Sequence, residues 1–297
     1  MKSTRMRTVF SLFAATLFAL ACVTSCKNSK FKRTFTRPDT LCVDSANFCR
    51  ADSTDKRCIA VDIHADYPTP ITGKLSANIA AWIRSKLGKG TPADTMNVDN
   101  VVSYYGNMKY NSFVANRDSA PVSYYKADCR MDVNRKNYIS FCFTLAECTH
   151  GMHGITSVSG MTFRKNDGKQ FGWDMIKDTT SNDFHKLMRE GVRSYLKKTL
   201  GENCVSDENF RSLLAPESEA DVSIETPLKS FPIPQAAPFL SRNGMTFVFQ
   251  PYEITPFSLG APKFTVPFDE IKQHMTKEAL SLLKKRDRTS LLYIHYI

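Results

Sequence analysis

The sequence lacks the short signatures that usually announce a chemistry. It contains no G-x-S-x-G, H-E-x-x-H, G-x-x-x-x-G-K-[ST] or G-x-G-x-x-G. Their absence removes the usual marks of acyl transfer by a nucleophile elbow, zincin proteolysis and glycine-loop nucleotide binding. It also has no C-x-x-C, so neither a thioredoxin-like redox pair nor a zinc knuckle is supported. Glycine and proline are modest, 13 and 14 in 297 residues, and 42% of the chain is hydrophobic. Collagen-like, low-complexity and wholly disordered chains are excluded by that balance. Six histidines are thinly spread. No regular alternation of strand and helix signals occurs, which argues against a βαβ array.

What is present first is an export signal. Lys2, Arg5 and Arg7 precede an uncharged run, Val9–Ala21, of 13 residues. A basic start and a short apolar centre describe a signal peptide rather than a spanning helix. The segment ends Val23-Thr24-Ser25-Cys26, which resembles a bacterial lipobox, with Cys26 as the lipid-bearing residue and Cys22 as the competing site. Lys27 stands where an Asp would retain a lipoprotein at the inner membrane, so the expectation is a lipid-anchored protein of the cell envelope, in the outer membrane of a Gram-negative bacterium.

The formal charge of +11 invites a nucleic-acid reading until it is mapped. Three positives leave with residues 1–26, five lie in residues 27–37, and a net three follow the last helical segment, so residues 38–283 are neutral. The excess belongs to the ends. We therefore expect no nucleic-acid partner. The five basic residues after Cys26 form either a solvated tether or a polybasic companion to the lipid, each Lys or Arg contributing about 1 kcal/mol near anionic headgroups.

With Cys22 removed and Cys26 lipidated, seven cysteines remain, so at least one thiol stays unbonded or pairs with another chain. Cys42, Cys49 and Cys58 either staple the N-terminal extension or serve as small buried hydrophobes. Residues 34–56 read as a polar, turn-rich linker, with structure beginning at Cys58. From there Ile59, Val61, Ile63 and Ala65 alternate with polar neighbours, a half-buried strand. Leu75, Ile79, Trp82, Ile83 and Leu87 recur at helical spacing, closed by Gly88. A second helix is expected over 98–114, interrupted by Gly106. Tyr138–Leu145 is the best strand, with Ile139, Phe141, Phe143 and Leu145 on one face.

Another strand spans 158–164 and turns through Asn166-Asp167-Gly168-Lys169. Phe184, Leu187, Met188, Val192, Leu196 and Leu200 mark a long amphipathic helix stopped by Gly201. Residues 216–238 read as a Pro-rich loop with a short strand, followed by strands around Met245–Phe249 and Phe264–Val266 and a helix capped by Thr276. The fold class is α+β, with mixed or antiparallel sheets packed against amphipathic helices in two closely associated modules. The expected division is 1–26 signal peptide, 27–57 basic tether, 58–160 N-terminal module, 161–285 C-terminal module and 286–297 tail.

Two places could act on a partner. His150-Gly151-Met152-His153-Gly154 follows the best strand, and is a tight turn, a binding loop or, least supported, a metal site. No spaced carboxylate or Cys completes a ligand set, so no metal and no cofactor is expected. Gln250-Pro251-Tyr252-Glu253 ends an apolar strand with an aromatic and a carboxylate, the composition of a strand terminus or a partner-facing rim.

These same runs carry a resemblance. Gly151-Met152-His153-Gly154 is similar to the Gly-Gly-Ala-His-Gly loop of the RsiV-like extracytoplasmic domain family, domain of unknown function 3298 with its usual preceding 4163 module. Phe247-Val248-Phe249-Gln250-Pro251-Tyr252-Glu253-Ile254, Pro256-Phe257-Ser258-Leu259-Gly260 and Val266-Pro267-Phe268-Asp269-Glu270-Ile271 resemble its later runs. The resemblance covers Cys58 to Leu283 and is most specific in the C-terminal third. It implies an α+β fold in two packed modules. The family's best-understood member is an anti-sigma factor whose outer domain binds lysozyme.

Only eight residues precede the apolar run here, leaving no cytoplasmic sigma-binding portion. The expected function is therefore a lipid-anchored envelope protein that recognises a wall component, such as peptidoglycan, or a muramidase. It is expected not to be an enzyme, and no catalytic residue is named. Candidate binding or structural residues are His150, Gly151, His153, Gly154, Tyr252 and Glu253, with Cys26 for lipid attachment. The alternatives are an enzyme on envelope glycans using His153 and Glu253, or a structural scaffold.

Overall fold

A computed structural model describes residues 41–54, 57–71, 73–87, 97–117, 122–149, 154–214 and 231–284. The larger sheet has six strands in sequential spatial order: β1 Val43–Thr54, β2 Arg57–Pro68, β3 Val122–Asn134, β4 Tyr138–Cys148, β5 Ile155–Arg164 and β6 Gln170–Phe171. All neighbours are antiparallel except β2 and β3, which run parallel. A parallel pair needs a crossover, and helices α1 Gly73–Leu87 and α2 Val98–Ala115 supply it. The chain is α+β, as its interspersed signals predict.

The alternation in β2 sets the first core. Ile59, Val61, Ile63 and Ala65 are all buried, and across the sheet they meet Tyr125, Ala127, Cys129, Ile139, Phe141 and Phe163 on the same face. The helices cover this face with Ile79, Trp82, Ile83, Val101, Val102 and Tyr105. Trp82, Phe141 and Phe163 form a triangle with ring centroids 6.2–6.5 Å apart, two of the three contacts edge-on.

The structure corrects the linker expected over residues 34–56. Val43–Thr54 is a 12-residue strand paired in full register with β2, from Val43 opposite Pro68 to Thr54 opposite Arg57. The strand is polar because it is an edge strand with one open face, and it needs few apolar residues, among them the buried Ala46 and the core-packed Val43 and Phe48. Phe48 lies against Gly106, where any side chain on the helix would enter the ring. The glycine that reads as an interruption of α2 is thus the seat for a strand, and the helix runs through it unbroken.

The opposite face of β4 and β5 carries a second, three-stranded antiparallel sheet: β7 Phe239–Leu240, β8 Gly244–Val248 and β9 Lys263–Pro267. Phe239 rests on Gly160, which has no room for a Cβ, and Leu240 N donates to Thr162 Oγ1 at 2.8 Å. The far side of the small sheet is covered by α3 Asn182–Leu200, whose Phe184, Met188, Val192 and Leu196 are fully buried at four-residue spacing. Gly201 ends α3 at φ +104°, a backbone angle suited to glycine. Short helices α4 Phe268–Ile271 and α5 Lys277–Leu283 close the second core, with Thr276 Oγ1 capping α5 through the Ala279 amide. Helices, large sheet, small sheet and α3 make four layers. Of residues 216–238, where a loop with a short strand is expected, 231–238 hold no strand and 216–230 lie outside the described residues.

Candidate functional site

The loop joining β8 to β9 is wired to the rest of the molecule at every turn. Gln250 uses its amide as a surrogate strand: Nε2 donates to Val158 O at 2.7 Å and Oε1 accepts from Val158 N at 3.1 Å. Val158 is paired with Thr144 of β4 on one side, and on its other side β5 runs beyond the short β6, so Gln250 takes the place of a strand neighbour there. Glu253 closes the turn. Its carboxylate accepts the backbone amides of Gln250 at 2.6 Å and of Gln235, while its own amide donates to Gln250 O. Charge-assisted bonds of this kind are about twice as strong as neutral ones, so the carboxylate acts as a clamp on two chain segments. Farther along, Thr255 Oγ1 donates to Gly260 O, and Tyr195 of α3 donates from its hydroxyl to Leu259 O at 2.8 Å.

Tyr252 sits at the tip of this clamped turn. Its φ is +69°, the left-handed region that a bulky residue occupies only at a cost. The ring is 49% exposed and stacks on Phe257, centroids 5.6 Å apart and planes 24° from parallel. An aromatic pair is therefore presented to solvent on a loop whose backbone is fixed from four sides.

Of the other candidate residues, Gly154 opens β5 beneath the Tyr124 hydroxyl, which leaves no space for a side chain at 154. His150, Gly151, His153 and Cys26 lie outside the described residues. Tyr252 and Glu253 are brought together in one turn, but no hydrogen bond or ring contact among the described residues joins them to Gly154. Nor is any group of three or more His, Cys, Asp or Glu among the described residues placed to hold a metal ion.

A second polar surface was hidden in the alternation of β2, whose non-core positions read only as solvent-facing. His64 Nδ1 lies 2.7 Å from Asn47 Oδ1 on β1, and its Nε2 lies 3.0 Å from Asp66 Oδ1. The other oxygen of Asp66 accepts Met131 N at 2.9 Å, beside the register shift of β3. Next to it Arg130 donates to Asp128 at 2.9 Å, which holds the guanidinium above its usual range. Asn47, His64, Asp66 and Arg130 are each bonded to a neighbour, while Asp128 keeps one buried oxygen without a partner, and the cluster organises the open face of β1–β3.

The cysteines follow the same logic. No disulfide joins the described cysteines: Cys129 and Cys148 are buried, Cys58 and Cys142 half-buried, and Cys42, Cys49 and Cys204 exposed. Burial raises the Cys129 and Cys142 thiols, the latter despite Lys263 Nζ at 3.4 Å, and a protonated thiol is a poor nucleophile.

No described helix is long and apolar enough to cross a membrane. Among curated proteins, none matches the chain. Two solved structures share its fold. A DUF3298 family member from Bacteroides fragilis aligns at a TM-score of 0.57 with 16% identity, covering 82% of this chain and 98% of that one. A DUF3298 family protein from Pseudomonas aeruginosa PAO1 aligns at 0.54 with 15% identity, covering 80% of this chain and 96% of that one. At this identity the likeness speaks for the fold. Residues 174–269 match the profile of a family described as protein of unknown function, and they span α3, the small sheet and the clamped loop just described. Over those residues, the chain carries a DUF3298 domain.

Proposed function

We propose that this is a lipid-anchored binding protein of the cell envelope, tethered through Cys26 in the outer membrane, that recognises a wall component or a lysozyme-like wall-degrading enzyme. In this reading the domain is of the RsiV-like kind, and residues 58–160 correspond to its usual preceding 4163 module. The observation that carries the proposal is Tyr252: a half-exposed ring, stacked on Phe257, on a backbone held at φ +69° by the Glu253 clamp. Rigid, exposed aromatics are the residues that dominate recognition, because they bury large area with little loss of side-chain freedom. The same geometry weakens the enzymatic alternative. Both Glu253 carboxylate oxygens accept backbone amides, which is the wiring of a structural clamp and not of a general base.

The test is calorimetry of the full chain in detergent against a c-type muramidase and against muramidase-digested peptidoglycan. Binding to one of them is expected, weakened at least about 10-fold by Tyr252→Ala, the loss typical of an interface anchor. Absence of heat with both ligands overturns the reading.

A further inference from the structure

The free edge of β9 and the groove beside it point to a second binding surface. β9 pairs on one side only, with Gly244 opposite Pro267 through Val248 opposite Lys263. The flanking bonds Phe249 N to Pro262 O and Phe268 N to Asn243 O fix the phase of the ladder. Residues 264 and 266 therefore turn their backbone groups toward β8, and Lys263, Thr265 and Pro267 turn theirs outward. Both Lys263 and Thr265 are exposed, and no described residue bonds to their amides.

Along this edge runs a groove of about 250 Å³. Its strand wall is the five consecutive residues Lys263–Pro267, and its helix wall is a single stripe of α3 from Leu187 to Lys198. Consecutive strand residues point to opposite faces, so what all five share is their backbone edge. The helix stripe is about 16 Å long at 1.5 Å per residue, the length of about five extended residues. Gly191, at its middle, lies on the Phe264 ring and lets helix and strand approach.

The two ends of the groove differ in charge. Tyr195 bonds to Leu259, ahead of β9, so the C-terminal half of α3 lies beside the start of the strand. Lys198 and Lys263 line that end, and Glu190 and Glu270 the other. Among the described residues Lys198, Glu190 and Glu270 form no ion pair, while the Lys263 ammonium reaches Cys142 Sγ at 3.4 Å. A small solute would not need a row of outward amides, and a polyanion would be repelled at the acidic end. A polypeptide backbone answers both features.

We propose that this groove takes an extended segment of a partner protein as a fourth strand, antiparallel to β9. The segment carries a basic side chain against Glu190 and Glu270, and an acidic one about four residues later against Lys198 and Lys263, with backbone bonds giving affinity and the end charges direction. This surface is independent of the Tyr252 rim and of the wall-recognition reading.

The probes are two synthetic β-branched nonapeptides identical except that lysine and glutamate, four residues apart, are exchanged. Binding to the full chain is followed by fluorescence anisotropy. The lysine-first peptide is expected to bind about 10-fold more tightly than the glutamate-first one. Thr265→Pro removes an outward amide where proline leaves the β8 ladder intact, and Ser194→Trp fills the groove from an exposed helix position. Each is expected to weaken the lysine-first peptide at least about 10-fold with the urea midpoint of Ser194→Trp unchanged. The double variant Glu190→Lys, Lys198→Glu inverts the preference. No binding of either peptide at about 1 mM, tighter binding of the glutamate-first peptide, or affinity indifferent to both Thr265→Pro and Ser194→Trp overturns the proposal.

Discussion

The two faces of β4 and β5 are buried by different chemistry. Toward α1 and α2 the strands present Ile139, Phe141, Phe143 and Phe163, all buried, and the helices answer with Trp82 and aliphatic side chains. Toward the small sheet the same strands present Ser140, Cys142, Gly160 and Thr162. Ser140 and Thr162 are equally inaccessible to water, yet the face is held by a 2.9 Å hydroxyl pair that also receives the Leu240 amide. The first face is stabilised by area and tolerates any filling of similar shape. The second depends on particular donors and on a missing side chain, so it is specific where the first is strong.

The largest expected effect therefore falls on the helix-facing side. Phe141→Ala removes one corner of the aromatic triangle and should cost about 4 kcal/mol in urea unfolding. Gly160→Val forces a branched side chain into the Phe239 ring and should cost about 3 kcal/mol. Thr162→Val keeps the volume but leaves the Leu240 amide and the Ser140 hydroxyl without their common partner, for about 2 kcal/mol. The chain has two tryptophans, and they divide between the cores: Trp82 in the first and Trp173 against the second. Trp82→Phe and Trp173→Phe variants thus report each core separately. If the faces are as distinct as their chemistry, Gly160→Val should shift the Trp173 signal to lower urea than the Trp82 signal. Coincident transitions would show that the two layers unfold as one.

The apolar faces of both cores were legible in the sequence because one face of each of these elements is apolar and the other is not. β2 and β4 alternate, and α1 and α3 repeat at helical spacing, so Ile59–Ala65, Ile79–Leu87 and Phe184–Leu196 could be assigned from pattern. The burial of Ser140 and Thr162 could not, since period-two alternation cannot distinguish a polar face in water from one under a second sheet. β1 was missed for the related reason that an edge strand needs few apolar residues, and its Phe48 anchor becomes meaningful only beside Gly106. In the candidate site, the composition of Gln250–Glu253 was visible, but its wiring was not. Gln250 binds a strand 92 residues away, and Glu253 a segment 18 residues away. The groove beside β9 left no local trace either, because its walls come from elements more than 60 residues apart.

The smallest effect separates the backbone of Tyr252 from its ring. Tyr252→Ala and Tyr252→Gly both delete the stacking on Phe257, so that loss cancels when the two variants are compared with each other. They differ in the cost of φ +69°, which alanine bears and glycine does not. Tyr252→Gly should therefore be more stable than Tyr252→Ala by about 1 kcal/mol, measured as the difference in urea midpoints at a common slope. That difference measures what the loop gives up to hold a ring outward. Equal midpoints would mean that the turn relaxes once the ring is gone, so that the Glu253 clamp does not fix the backbone. The Tyr252 ring would then be a mobile side chain in place of a built rim, and the same two variants would be expected to leave muramidase or peptidoglycan binding unchanged.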